Sequence, residues 1–202
     1  MTQSVGESGV THSYLTEERI CFTKLTNDIL KDDADVKDII PINPESDDLF
    51  HCLEDGIVLC KLINAAAENT IDMRAVKMKK NMNIYMVKEN LNLALNAAKG
   101  IGLRIPGITP QAFLEKKPHL ILAVLWQIMR MVMTKEIDLK HCPEIMRLAE
   151  EGEELKDLVK LSPEAILLRW INYHLKKAKV DKRVNNLGKD LSDSTALIYL
   201  LH

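Results

Sequence analysis

The stretch His119–Met133, HLILAVLWQIMRMVM, limits the fold more than any other part of the chain. Apolar residues occupy almost every side of its helical wheel. A surface helix shows one apolar stripe, whereas a helix apolar all round lies inside a core or a membrane. The stretch is shorter than the roughly 20 residues a bilayer crossing needs. It therefore reads as the central helix of a soluble helical domain, enclosed by its neighbours. Pro118 suits its start, because the first turn has no use for the missing N–H.

The rest of the composition fits that reading. Hydrophobic residues make up 47% and charged residues 28%, the profile of a globular protein. The formal net charge is −2, so nothing in the bulk charge favours nucleic acid or an acidic membrane, and any basic patch must be local. Cysteines stand at 21, 52, 60 and 142, with no CxxC pair and no histidines at zinc-ligand spacing. Cys52 and Cys60 fall in predicted helices and read as buried free thiols, which favours a reducing, cytoplasmic setting. Residues 1–15 show no signal-peptide pattern, and their Gly, Ser and Thr content predicts a flexible tail.

A first helix is predicted from Thr16, where a capping hydroxyl precedes Glu17 and Glu18. Phe22, Leu25, Ile29 and Leu30 give it an apolar face, leaving Lys24, Asn27, Asp28 and Lys31 off that face. Asp33 and Asp35 have the alternation of a calcium loop, but Asp38 stands where glycine is needed and Pro44 where glutamate is needed. The segment is an acidic turn, and no bound calcium is expected. A helix with Leu49, Phe50 and Leu53 then breaks at Glu54-Asp55-Gly56, and Asp55 caps a new one carrying Leu59, Leu62, Ile63 and Ala66. The following loop holds Lys77, Lys79 and Lys80, a short basic patch. Residues 84–99 form a long helix that ends at Gly100 or Gly102. After the central helix, residues 135–160 turn acidic and polar and read as a helical connector. Ser162-Pro163-Glu164 opens a further helix, with Leu167, Trp170, Ile171 and Leu175 as its apolar face.

Two pieces of the chain recur in the same order. The stretch 53–63 matches 191–201, pairing Asp55 with Asp193. The first helix matches 168–175, pairing Leu25 with Trp170, Asn27 with Asn172 and Leu30 with Leu175. A complete unit therefore spans 16–134, and a second opens near 161 and reaches His202 without a counterpart of the central helix. A half-domain without its central helix cannot bury its apolar face, so the chain reads as a fragment.

The repeat, with DGIVLCKLIN (55–64), ENLNLALNAAKGIG (89–102) and KPHLILAVLWQIMR (117–130), resembles calponin-homology domains in tandem. The wording of NPESDDLFHCLEDGIVLCKLIN and VKLSPEAILLRW is similar to the fimbrin (plastin) subfamily, although Leu25 stands where that subfamily commonly has tryptophan. The resemblance implies an all-α calponin-homology fold, with one complete domain at 16–134, a connector at 135–160 and an incomplete second domain at 161–202. It implies actin-filament binding in the cytoplasmic actin cytoskeleton, as part of a cross-linking protein. Three stretches would carry it: Lys24, Asn27 and Lys31 on the first helix; His119, Gln127 and Arg130 on the central one; and Arg169, Asn172, Lys176 and Lys177 on the third. Lys179, Lys182 and Arg183 extend the third into the best local basic patch, suited to an acidic filament. No catalytic motif, cofactor, metal, nucleic acid or transmembrane segment is expected. The competing reading is a calponin-homology adaptor without direct actin binding.

Overall fold

The computed structural model describes residues 2–5, 11–14, 16–79, 81–135, 137, 141–150 and 152–201. They divide into two compact units, Met1–Val132 and Met133–His202. The polar 135–150 segment thus groups with the second unit.

Where a tail is expected, Thr2–Val5 (β1) pairs antiparallel with Thr11–Tyr14 (β2), with Thr2 opposite Tyr14 and Val5 opposite Thr11. Thr, Val and Tyr favour extended backbone, which the Gly and Ser content had masked in the sequence. The remaining first unit is helical: α1 (Thr16–Leu30), α2 (Asp48–Cys52), α3 (Ile57–Ala66), α4 (Ile84–Gly100), α5 (Pro110–Leu114) and α6 (Pro118–Thr134).

The enclosed helix is α3, not α6. Ile57, Val58, Leu59, Cys60, Leu62, Ile63 and Ala66 are all buried, covering every side of its wheel. On α6, Ile121, Leu122, Val124, Leu125, Ile128 and Met129 are buried, but Trp126 is 55% and Met133 59% exposed. The helix is amphipathic in fact, with Ala123, Trp126 and Arg130 on an outer stripe. The sequence hid this because the stripe itself is largely apolar.

Gly56 shows how closely α3 is held. Its φ is +78°, and a Cβ there would lie 3.0 Å from Asn90 Cβ and from the Leu91 backbone nitrogen. Both facts require glycine. The N-cap of α3 is Gly56 instead of the predicted Asp55, which sits one residue earlier and accepts the Ile57 N–H at 2.9 Å. In the second unit Asp193 accepts the Thr195 N–H at 3.1 Å, and Ser194 repeats the positive φ at +60°. The repeated sequence is therefore a repeated turn.

The second unit contains α7 (Leu155–Val159), α8 (Pro163–Lys177) and α9 (Thr195–Leu201), with a 3-10 turn at Pro143–Leu148. Among the described residues of the predicted connector, Pro143–Leu148 and Leu155–Val159 are helical. They are not a free linker, since Ile145, Leu148 and Leu158 pack with Ile166 of α8. A second cluster joins Ile171, Leu175, Val184 and Ala196. Leu197, Ile198 and Leu201 of α9 are exposed, whereas their counterparts Leu59, Cys60 and Ile63 are buried. The difference is the cover: α4 lies against α3, and the described residues of the second unit hold no counterpart of α4.

Five amide side chains tie loops to helices in one way. Asn90, 1% exposed, accepts the Lys77 N–H at 2.8 Å and donates to Lys77 O at 2.9 Å and Asp55 O at 3.1 Å. Asn27 brackets the N–H and C=O of Ile42 at 2.7 and 2.8 Å, and Asn64 those of Ile71 at 2.7 and 2.8 Å. Asn172 brackets Val184 at 2.8 and 2.7 Å, and Gln127 brackets Arg104. A carboxamide carries a donor and an acceptor side by side, so it can satisfy both the N–H and the C=O of one loop residue. Asn90→Ala removes three such bonds and leaves buried backbone groups unpaired. Chemical denaturation should show it less stable by about 2–4 kcal/mol, with an exposed control such as Asn96→Ala within about 0.5 kcal/mol.

Candidate functional site

The structure sorts the ten residues proposed to contact a partner into two kinds. Lys24 is exposed on α1 and Lys31 just after its end, Arg130 on α6, and Lys176 and Lys177 on α8. Asn27, Gln127 and Asn172 instead hold loop backbone through both ends of their amides, as described above. Arg169 is also engaged inside the fold, its guanidinium paired with Glu153. Glu153 is held below the usual carboxylate range by Arg169 first and by the Glu150 N–H second. His119 is half-buried.

On the first unit, α1 and α6 approach each other at one point: the rings of Phe22 and Trp126 are 6.3 Å apart and tilted by 54°. The outer face of α1 is not basic, because Glu17, Cys21 and Asp28 are exposed alongside Lys24 and Lys31. Its companion on α6 contributes Trp126, Arg130 and Met133.

The outer face of α8 has a different character. Trp170 and Tyr173 are 41% and 40% exposed, so Trp170 belongs to the outer surface and not to the predicted apolar face. Trp170 packs on His174 at 4.6 Å between ring centres, and Tyr173 meets His174 edge-on at 5.3 Å. Lys176, Lys177, Lys179 and Arg183 are exposed beyond them. Lys182 is engaged, its ammonium 2.6 and 2.7 Å from the carboxylate oxygens of Asp193, where it braces the turn before α9. Aromatic rings beside uncompensated cations suit a binding face, since the rings supply area and the cations steer an acidic partner.

Of the loop lysines, Lys77 and Lys79 are exposed, although the Lys77 backbone is held by Asn90; Lys80 lies outside the described residues. Asp33 and Asp35, the alternating pair of the acidic turn, both bind the ammonium of Lys61, with Asp33 at 3.0 Å. Burial opposes the charge on Lys61, and the bonds from Asp35 and Asp33 outweigh it, so its pKa rises. Sequence reasoning missed Arg19, which is buried on α1 and donates to the carbonyls of Pro44, at 2.9 Å, and Ser46. It also missed the exposed Trp126, Trp170 and Tyr173; apolar residues at helical spacing read as core, and nothing local marked them otherwise.

All four cysteines are free thiols. Burial first, then the charge of Asp55, pushes both Cys52 and Cys60 up to about 12. Cys21 and Cys142 are exposed. A thiol reagent should therefore modify two cysteines rapidly in the native protein and the other two only with unfolding. Because the folded state holds these two thiols protonated, stability should be intact below the unfolded thiol value of 9.0 and fall as pH rises from there toward about 12.

The sequence profile of the calponin homology (CH) domain matches residues 20–134 and again 161–202. The chain belongs to the calponin homology domain family. It is 45% identical over 201 residues to plastin-1 of Gallus gallus and 42% identical over 201 residues to plastin-3 of Homo sapiens, in each case across 100% of this chain and 32% of the relative. The chain thus spans about a third of the length of these relatives. The crystal structure of the actin-crosslinking core of Schizosaccharomyces pombe fimbrin resembles it with a TM-score of 0.78 at 36% identity, covering 93% of this chain and 37% of that one. Among the described residues no helix is long and apolar enough to cross a membrane.

Proposed function

We propose that this chain binds actin filaments as part of a fimbrin-type cross-linking protein of the cytoplasmic actin cytoskeleton. Its first calponin homology domain lies at 16–134, and a second opens at 161 after the 135–160 connector. The observation that carries this reading is the likeness to the actin-crosslinking core of fimbrin along 93% of the chain. The role is one of binding, not catalysis.

The surface chemistry supports a particular division of labour. Lys176, Lys177, Lys179 and Arg183 steer and hold the acidic filament, and Trp170 and Tyr173 supply contact area beside them. Lys24, Lys31, Arg130 and His119 act on the surface shared by α1 and α6. Asn27, Gln127, Arg169 and Asn172 serve by holding these helices and their loops in place.

Co-sedimentation with actin filaments tests the proposal. The chain should pellet with filaments, and the double variant Lys176→Glu/Lys177→Glu should bind about tenfold more weakly at low salt while keeping its helical signal. Added salt should narrow the gap between the two, as screening weakens exposed charges beyond a Debye length of about 8 Å. Failure of the chain to pellet at any salt would leave the adaptor reading in its place.

A further inference from the structure

A groove of about 730 Å³ lies on the first unit. That is within the range of about 300–1,000 Å³ typical of ligand-binding clefts. Its apolar lining includes Ile57 at the start of α3, Val87 on α4 and Leu114 at the end of α5, together with Met82. Met78 and Ile84 stand at its lips and are 40% and 49% exposed. Methionine is flexible and polarizable, so such a lining can adapt to an inserted side chain.

Carboxylates border this lining: Asp35, Asp38, Glu54 and Asp55, against Lys79 and the nearby His51. Two of the four already have cations. Asp35 is bound by Lys61, and Glu54 meets Lys116 at 2.7 Å. Asp38 is exposed and has no ion pair among the described residues. Asp55 accepts the Ile57 N–H, yet burial first, and the charge of Glu54 after it, hold its carboxyl above the usual range. A cation brought in from outside would relieve both.

We propose that this groove is a docking site for a basic amphipathic helix of a partner protein. Apolar side chains spaced at i, i+3, i+4 and i+7 enter between Met78, Met82 and Ile84, and flanking Lys or Arg side chains meet Asp38 and Asp55. An apolar groove with an acidic border selects that chemistry over an acidic filament, because like charges facing each other across an interface oppose binding. This docking uses other residues than the filament binding proposed above and does not depend on it.

The test uses the whole chain and a fluorescent amphipathic helix built of Leu and Lys, beside a control peptide with Glu for every Lys. Asp38→Lys and Met78→Glu alter exposed positions, and Asp181→Lys makes the same charge change as Asp38→Lys on an exposed residue of the other unit. The Leu/Lys peptide should bind saturably and the Leu/Glu peptide should not. Asp38→Lys and Met78→Glu should each weaken binding by about fivefold or more, and Asp181→Lys by less than about twofold. Absence of saturable binding, or an equal loss with Asp181→Lys, would overturn the proposal. So would a loss of filament co-sedimentation in Met78→Glu, which would place the groove on the filament face.

Discussion

A carboxamide holding both the N–H and the C=O of a single loop residue is the contact on which the rest of this structure depends. Helices satisfy their own backbone, but the segments between them here are long and must pass close to the core. Ile42, Ile71 and Val184 bury their side chains, and burial takes their peptide groups away from water. Asn27, Asn64 and Asn172 replace that water with a donor and an acceptor from a helix. Asn90 goes further and links the 77 loop to the Asp55 turn, so that one side chain fixes α4, the turn before α3 and the loop between them. Aspartate offers no donor and leucine neither group, so the position is specific to an amide.

The same contact explains the internal repeat. Asn27 and Asn172 align in sequence because each grips the loop that follows its helix. Asp55 and Asp193 align because each caps a turn whose next residue has positive φ. Glycine is enforced in the first copy by the approach of Asn90 and Leu91, while serine occupies the second. Two copies of a local arrangement thus survive with different surroundings. In the first, α3 is covered on all sides; in the second, much of α9 faces outward.

Most helix positions and the inward faces of α1, α3 and α4 were legible from spacing alone, because periodicity reports which side of a helix meets the core. What spacing cannot report is whether an apolar face is covered. Trp126, Met133 and Trp170 fit a core stripe in sequence and stand at the surface in the fold. Polar residues posed the mirror problem. Asn27, Gln127 and Asn172 looked available for a partner because they lie off the apolar face, but their partners are backbone groups 15, 23 and 12 residues away. Such contacts leave no local trace. The charged residues were easier to place, since Lys24, Lys31, Lys176 and Lys177 are outside in both readings.

In the function proposed above, these amides build the domain and filament contact falls to cations and aromatic rings. Asn27→Ala tests it most directly, with thermal unfolding and filament co-sedimentation measured on the same preparation. The account predicts a midpoint lowered by about 4 °C or more, with filament affinity unchanged within about twofold well below that midpoint. An unchanged midpoint with a clear loss of filament binding would contradict it and return Asn27 to the contact surface.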